Sequence, residues 1–222
     1  MIDAGSVSER LEEVRARIGA AGGCAQRVKV VAVTKGLGVD AVEAAIGAGL
    51  TDLGESYAQE LLAKSGIEAG AGVRWHFVGR VQRNKVARVA GFVHLWHSID
   101  RVAAGAEIAR RVPGAAVLVQ VNASGEAEKS GCRPDDAPGL VAELRTRGLD
   151  VRGLMAIGPQ GEPEGARPAF RLVTRLADDL GLAERSMGMS DDLEVAVQEG
   201  ATLVRVGRAL FGPRPTAARL RR

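Results

Sequence analysis

The chain has 222 residues, of which 46% are hydrophobic and 26% are charged, and its formal net charge is +3. This composition is typical of a soluble globular protein and excludes a disordered chain, whose apolar content would be far lower. Aromatic residues make up only 3%, which argues against a stacking surface for single-stranded nucleic acid. The basic residues are spread along the chain apart from a run in the tail 214–222. We therefore expect no nucleic-acid partner.

The cysteine pattern and the absence of long apolar segments indicate where the protein works. Cys24 and Cys132 are isolated and do not have the spacing of zinc ligands, so we expect no metal site. Two isolated cysteines fit a reducing compartment. No stretch has the length of a secretory signal or approaches the roughly 20 apolar residues of a membrane span. We expect a cytoplasmic protein that does not contact a membrane.

Strand-like and helix-like segments alternate along the sequence. Residues 3–20 carry apolar side chains on one helical face and predict an amphipathic helix that precedes the first strand. The β-branched run at 28–34 predicts a buried strand. The further predicted strands are 50–55, 74–79, 92–99, 116–122, 151–157, 185–189 and 202–207. The further predicted helices are 39–48, 57–67, 84–91, 100–112, 135–147, 163–180 and 191–200.

This alternation predicts βα units and a parallel sheet. Eight such units in roughly 200 residues match the lower size limit of a (β/α)8 TIM barrel. No linker of Pro, Gly or Ser divides the chain, so we expect residues 1–222 to form a single α/β domain. The helix at 3–20 is an addition to the barrel, and residues 214–222 form a basic tail.

One lysine stands out at the end of the first predicted strand, where barrels of this class carry their chemistry. Lys35 directly follows the apolar run VVAVT and is followed by Gly36, whereas a surface lysine more often lies on a helix face. A partly desolvated lysine has a lowered pKa and becomes a nucleophilic amine that condenses with a carbonyl. The carbonyl could belong to a sugar-phosphate substrate, as in an aldolase, or to pyridoxal phosphate.

Both ligands carry a phosphate, and the last two βα loops contain residues suited to bind one. Ser190 is a good N-cap for the helix that follows, whose first N–H groups would face an anion. Asp191 and Asp192 would repel a phosphate, so we expect them to point away. Gly207 allows close approach of the backbone, and its N–H and that of Arg208 complete the predicted cradle.

Several long motifs resemble, in order, those of the pyridoxal phosphate homeostasis protein family. These proteins are single-domain relatives of the barrel domain of alanine racemase. The resemblance covers about residues 5–213. The motifs are VVAVTKG, DLGESYAQE, WHFVGRVQRNK, HSID, VQVNASGEAEKSG, VRGLMAIG, SMGMSDDLEVAVQEGATLVRVG and ALFG.

The resemblance implies a (β/α)8 barrel with pyridoxal 5'-phosphate bound as a Schiff base on Lys35. It places Arg205 beside the pyridine nitrogen of this cofactor. It assigns the phosphate to Ser190, Gly207 and Arg208, with Ser186 and Met187 as further members of the same motif.

The sequence departs from the family pattern at a few positions. Ser56 stands where Asn is common, and Arg80 and Arg83 replace other residues of the motif after the third predicted strand. Arg208 replaces the usual Thr, so that only its backbone N–H can be carried over. The change at Ser56 puts a side-chain amide role at that position in doubt.

The chemistry of arginine favours a carrier over an enzyme. Arg205 can only donate a hydrogen bond to an unprotonated pyridine nitrogen, which weakens carbanion stabilisation. Racemases of this kind recruit a tyrosine from a second domain, whereas this sequence has one tyrosine, Tyr57, and we expect no second domain. We therefore expect a monomeric protein that holds the cofactor and delivers it to apo-enzymes, without a firm catalytic residue. The alternative is a pyridoxal phosphate-dependent amino-acid racemase or a Schiff-base lyase.

Four other polar residues require separate assignments. Lys129 is a candidate for a transient acceptor as the cofactor leaves, although a solvated loop lysine is the simpler interpretation. His76 and His94 lie on apolar predicted strands and are most simply structural. His97 lies near a strand end without an obvious carboxylate partner.

Overall fold

Eight strands form one closed barrel in a computed structural model that describes residues 2–24, 27–66, 72–126 and 128–213. Each strand pairs in parallel with its neighbours in chain order, and β8 pairs with β1. The strands are β1 (Lys29–Val33), β2 (Asp52–Glu55), β3 (Arg74–Phe77), β4 (Val93–Ile99), β5 (Ala116–Gln120), β6 (Asp150–Met155), β7 (Glu184–Ser186) and β8 (Leu203–Val206).

The helices surround this barrel. They are α1 (Ala4–Ala20), α2 (Val39–Gly47), α3 (Ala58–Lys64), α4 (Arg83–Val89), α5 (Val102–Arg111), α6 (Ala137–Thr146), α7 (Arg167–Asp179), α8 (Leu193–Gln198) and α9 (Arg208–Phe211). Short 3₁₀ turns precede α6 and α7. None of the helices in the described ranges is long and apolar enough to cross a membrane.

The predicted TIM barrel with an added N-terminal helix is therefore confirmed. All eight predicted strands are present, including β7, which has only three residues. The four-residue helix α9 was not predicted, because the sequence after Gly207 is too short to show a helical period. The end of the helix predicted at 57–67 and the basic tail 214–222 lie outside the described residues.

Apolar side chains fill two layers of the structure. The larger core lies between the strands and the helices, where parallel strands covered on both faces bury continuous apolar runs. A smaller cluster occupies the barrel interior and consists of Val31, Leu95, Ala116, Leu118, Met155 and Leu203. Polar side chains occupy other interior positions, and they extend from the N-terminal end of the barrel to its C-terminal mouth.

Helix α1 covers the seam at which the last strand meets the first. It packs against α2, α8 and α9, and it buries Val7, Leu11, Val14 and Ile18 completely or almost completely. Arg17 donates to Glu194 on α8, and Arg10 donates to the carbonyl of Leu210 on α9. The helix thus links the first and last βα units.

Candidate functional site

Lys35 lies on a tight turn at the C-terminal mouth of the barrel, directly after β1. The N–H of Leu37 donates to the carbonyl of Thr34 at 3.0 Å, which closes the turn. Gly36 has a φ of 72°, the value that a type II turn requires at this position and that favours glycine. The lysine is half-buried. It follows Val31 and Val33 at the two-residue spacing of side chains on one face of a strand. The turn thus explains why a glycine follows Lys35 in the sequence.

A buried ion pair supports the residue before Lys35. The Lys64 Nζ lies 2.5 Å from Glu55 Oε1, and both side chains are almost completely buried. Lys64 also donates to the carbonyl of Thr34 at 2.9 Å, while the Thr34 hydroxyl donates to Glu55 at 2.7 Å. Burial raises the pKa of Glu55, and hydrogen bonds from Lys64 and Thr34 counteract that effect. These contacts fix Thr34 through both its backbone and its side chain.

A second carboxylate holds the residue after Lys35. The N–H of Gly36 donates to Glu60 Oε2 at 2.7 Å, and Lys64 Nζ lies 3.5 Å from the same oxygen. One helix, α3, therefore supplies both Glu60 and Lys64 to this turn. Sequence reasoning missed this support because a lysine on an amphipathic helix is normally solvated.

Arg205 lies inside the barrel on β8, below the mouth. Its Nη1 donates to both the carbonyl and the hydroxyl of Ser186 at 2.7 Å, and its Nη2 donates to the carbonyl of Ala156 at 2.8 Å. Burial lowers the pKa of Arg205 to about 10, so the guanidinium remains charged at neutral pH. Its Nε–H and one N–H on Nη2 make no hydrogen bond within the described residues, and they are available to an acceptor.

A line of hydrogen bonds continues from Arg205 across the barrel interior. The Ser186 Oγ lies 2.8 Å from His97 Nδ1, His97 Nε2 lies 2.7 Å from His76 Nδ1, and His76 Nε2 lies 2.9 Å from Asp52 Oδ1. We call Asp52, His76, His97 and Ser186 the barrel relay. Its four side chains come from β2, β3, β4 and β7, and they lie at least 20 residues apart in sequence.

The far end of the barrel relay lies at the opposite, N-terminal end of the barrel. Arg74 holds Asp52 through two hydrogen bonds of 2.8 and 2.6 Å. Burial would raise the pKa of Asp52, but hydrogen bonds from Arg74 and His76 lower it well below its usual range. Burial, followed by the charges of His76 and Arg205, lowers the pKa of His97 far below its usual value. Asp52 is therefore ionised and His97 is neutral at physiological pH.

The histidine interpretation requires one correction. We expected His76 and His94 to be equivalent structural residues, but His94 is exposed and touches His76 only ring edge to ring. His97, which has no carboxylate in contact, reaches Asp52 through His76. The sequence pattern could show that His76 and His97 both face the barrel interior. It could not show that they contact each other, because that depends on the register of β3 and β4.

The residues that we assigned to a phosphate are arranged differently from the prediction. Ser190 is not the N-cap of α8, as predicted, because that helix begins two residues later, after Asp192. Instead the Ser190 hydroxyl accepts from the N–H of Ala209 at 3.1 Å, at the start of α9. The side chain therefore joins the two loops to which we assigned the phosphate, and its own hydrogen remains able to donate.

Gly207 and Arg208 lie beside β1, as the cradle requires. A methyl group on Gly207 would lie 3.2 Å from the carbonyl oxygen of Val33, which explains the small residue. The Arg208 side chain turns away and pairs with Asp191 on the surface, so only its backbone remains for a ligand. Asp192 accepts from the N–H of Met189 at 2.6 Å and thus closes its own loop.

Two residues of the predicted set do not face the mouth. The Met187 side chain is fully buried in the outer core, and its N–H donates to the carbonyl of Leu203. The Ser186 hydroxyl contacts Arg205 and His97 in the interior. Neither side chain is placed to bind a phosphate, and Ser186 acts on Arg205 instead.

Lys129 is not the solvated loop lysine of the simpler interpretation, because its side chain is only 17% exposed. Its Nζ contacts Glu126 and donates to the carbonyl of Gly158 at 2.6 Å. It thereby ties the loop after β5 to the loop after β6, at the same end of the barrel as Lys35. Its ammonium group is held in place by these contacts.

A cavity of about 290 Å³ opens beside the mouth, between α3 and α4. Ser56 and Arg80, two positions that depart from the family pattern, both line it, as do Tyr57, Lys85 and Trp96. Lys35 and Arg205 are not among its described lining residues. The departures at Ser56 and Arg80 therefore bear on this side cavity and not on the cradle.

Comparison with known proteins agrees with this architecture. Residues 2–215 match the family model described as alanine racemase, N-terminal domain. The pyridoxal phosphate homeostasis protein of Pseudomonas aeruginosa is 42% identical, over 96% of this chain and 98% of the relative. That of Escherichia coli K12 is 37% identical, over 94% of this chain and 97% of the relative.

Solved structures give the same result. PipY of Synechococcus elongatus, solved with pyridoxal phosphate bound, has a TM-score of 0.79 and 29% identity, and the match covers 93% of this chain and all of PipY. Alanine racemase from Corynebacterium glutamicum has a TM-score of 0.72 at 17% identity, which shows the fold alone. The match covers 98% of this chain and 63% of the racemase.

Proposed function

Because the chain belongs to the pyridoxal phosphate homeostasis protein family, we propose that it binds pyridoxal 5'-phosphate as a Schiff base on Lys35. We further propose that it works as a cytoplasmic monomer that takes part in homeostasis of this cofactor and delivers it to apo-enzymes. The observation that carries the proposal is the convergence of a half-buried amine, a fixed guanidinium and a small-residue cradle at one end of the barrel.

The residues present fit this cofactor group by group. When bound, pyridoxal phosphate supplies an aldehyde that condenses with an amine. The two unused N–H groups of Arg205 suit an unprotonated ring nitrogen, since arginine only donates. The backbone N–H groups of Gly207 and Arg208 and the Ser190 hydroxyl suit the phosphate, which binds well to backbone donors at a loop.

The same residues favour holding the cofactor over turnover. Proton abstraction requires a base positioned at the reacting carbon. Tyr57, the sole tyrosine in the sequence, is 60% exposed and lines the side cavity between α3 and α4. With pyridoxal phosphate bound, Arg205 would donate to the ring nitrogen without protonating it, which would limit the capacity of the cofactor to stabilise a carbanion. We therefore propose a carrier and not a racemase.

Borohydride reduction of the loaded protein tests the proposed attachment. We expect peptide mass mapping to find the reduced cofactor on Lys35, and we expect no stable label in a Lys35→Ala variant. Lys85→Ala is the matched control, because Lys85 lies in the side cavity and its loss should leave labelling unchanged. The proposal is wrong if the parent protein takes up no label or if mass mapping finds the label of the parent on a residue other than Lys35.

We also propose Lys129 as a transient acceptor during release of the cofactor. We expect Lys129→Ala to slow transfer to an apo-enzyme about tenfold, which corresponds to about 1.4 kcal/mol of barrier. Lys129→Arg separates chemistry from structure, because arginine retains a cation for Glu126 and Gly158 but cannot form a Schiff base. The measurement is the rate at which the acceptor enzyme regains activity. Transfer at the parent rate in either variant would rule out the acceptor role.

A further inference from the structure

When both histidine rings are neutral, only one arrangement of protons satisfies every hydrogen bond of the barrel relay. A doubly protonated His76 would instead allow the reverse arrangement, in which Ser186 accepts from both His97 and Arg205. Its Arg205 end contains only donors, since a guanidinium has no acceptor. Its Asp52 end contains only acceptors, because the carboxylate is ionised and bound to Arg74. For neutral rings, these two ends determine the direction of every hydrogen bond between them.

The direction can be followed atom by atom. Arg205 donates to the Ser186 oxygen, and with both rings neutral the Ser186 hydrogen points to Nδ1 of His97. His97 is then protonated on Nε2 and donates to Nδ1 of His76. His76 is likewise protonated on Nε2 and donates to Asp52. In this arrangement both rings are Nε2–H tautomers.

We propose that Asp52, His76, His97 and Ser186 are positioning residues for the cofactor, which act by orienting Arg205. The proposal rests on the proposed function, since Arg205 contacts the cofactor only if pyridoxal phosphate binds at this mouth. Because Ser186 accepts from Nη1 and Ala156 accepts from Nη2, the guanidinium plane is fixed. The Nε–H and the second N–H of Nη2 of Arg205 therefore each point in one fixed direction.

The burial of these groups explains why the fixed direction is stable. The side chains of His76, His97, Ser186 and Arg205 are all at most 5% exposed. A proton added to Nδ1 of His97 would face the hydrogen of Ser186, and a proton added to Nδ1 of His76 would reverse both hydrogen bonds of His97. The charged or titratable groups around the two rings are Asp52, Arg74, His94 and Arg205. The ionised carboxylate of Asp52, at the N-terminal end of the barrel, thus determines the order of donors and acceptors in the barrel relay.

The first test measures the tautomers directly and needs no variant. Nitrogen-15 NMR of the protein labelled at histidine, without added cofactor, should show His76 and His97 as Nε2–H tautomers at neutral pH. The exposed His94 serves as an internal reference for an unconstrained ring. A proton on Nδ1 of His97 would overturn the proposed order, whatever the outcome of the cofactor experiments.

The second test measures the effect on the bound cofactor. We expect His97→Phe to shift the pH midpoint of the visible absorbance band of the loaded protein by about one unit or more, because Arg205 loses its fixed direction. His94→Phe, on the same strand, should leave the midpoint unchanged. If His97→Phe does not fold, Ser186→Ala removes one hydroxyl from the line and should shift the midpoint in the same direction.

The outcomes separate the two proposals. A Lys35 label in the parent, combined with an unchanged midpoint in His97→Phe or Ser186→Ala, would overturn the positioning role and leave the proposed function intact. Absence of the Lys35 label in the parent would refute the proposed function. The positioning role would then fail with it, while the NMR result would still decide the proton order of the relay.

Discussion

Replacement of Lys64 by methionine should destabilise the protein by about 3 kcal/mol or more, because it leaves the Glu55 carboxylate buried without its cation. Methionine has nearly the same length as lysine, so the loss is electrostatic more than steric. The turn that carries Lys35 should also loosen, since Lys64 bonds the carbonyl of Thr34. We therefore expect lower cofactor occupancy in Lys64→Met even where the protein remains folded.

Urea denaturation of three variants measures this effect. Lys29→Met is the matched control: Lys29 pairs with Glu184 at 3.0 Å but is about half exposed, and such a pair contributes less than about 1 kcal/mol. The double variant Glu55→Gln/Lys64→Met removes both charges and should recover part of the loss. Equal effects of Lys64→Met and Lys29→Met would show that the buried pair does not support the turn.

Substitution of Gly153 by alanine should destabilise the barrel by about 3 kcal/mol, at the upper end of overpacking effects. The added methyl would lie 1.9 Å from the carbonyl oxygen of Glu184, with which Gly153 is paired in register. Strand β7 must then move away from β6. Ser186, two residues after Glu184, would move with it and disturb the contact with Arg205.

A glycine elsewhere in the same chain provides a control of opposite sign. Gly139 lies on α6 with no atom within 4 Å of the position that a methyl would occupy. Gly139→Ala should therefore stabilise the protein by about 0.5–1 kcal/mol, because alanine favours the helix. Thermal or urea unfolding of the two variants gives both values. A neutral Gly153→Ala would mean that β6 and β7 separate without cost at this point.

The barrel could be predicted from the sequence because several strands bury most of their residues and are therefore short apolar runs in the sequence. Strand β1 and strand β5 are the clearest examples. The weak segment around Ser186 could be assigned only because the alternation required a seventh strand. Helix α9 could not be predicted, since its four residues form a single turn that depends on its position beside β1 and Ser190.

The candidate site divides in the same way. Lys35 and Gly207 could be predicted because their roles depend on the local sequence, a turn and a close backbone approach. The relay and the Glu55–Lys64 pair could not, because their partners come from different βα units. Local patterns carry no information about which strands become neighbours, and a polar residue on a strand has no visible partner until the register is known.

The position of α1 has a consequence for how the protein is made. This helix leaves the ribosome ahead of every other described element, yet the surfaces that cover its apolar stripe include α8 and α9, from the end of the described chain. During synthesis α2 can pack against α1 early, but α8 and α9 become available only after most of the polypeptide is translated. Apolar surface of α1 that stays exposed until then promotes aggregation or chaperone binding. The packing of the N-terminal helix is therefore completed only after α8 and α9 have been synthesised.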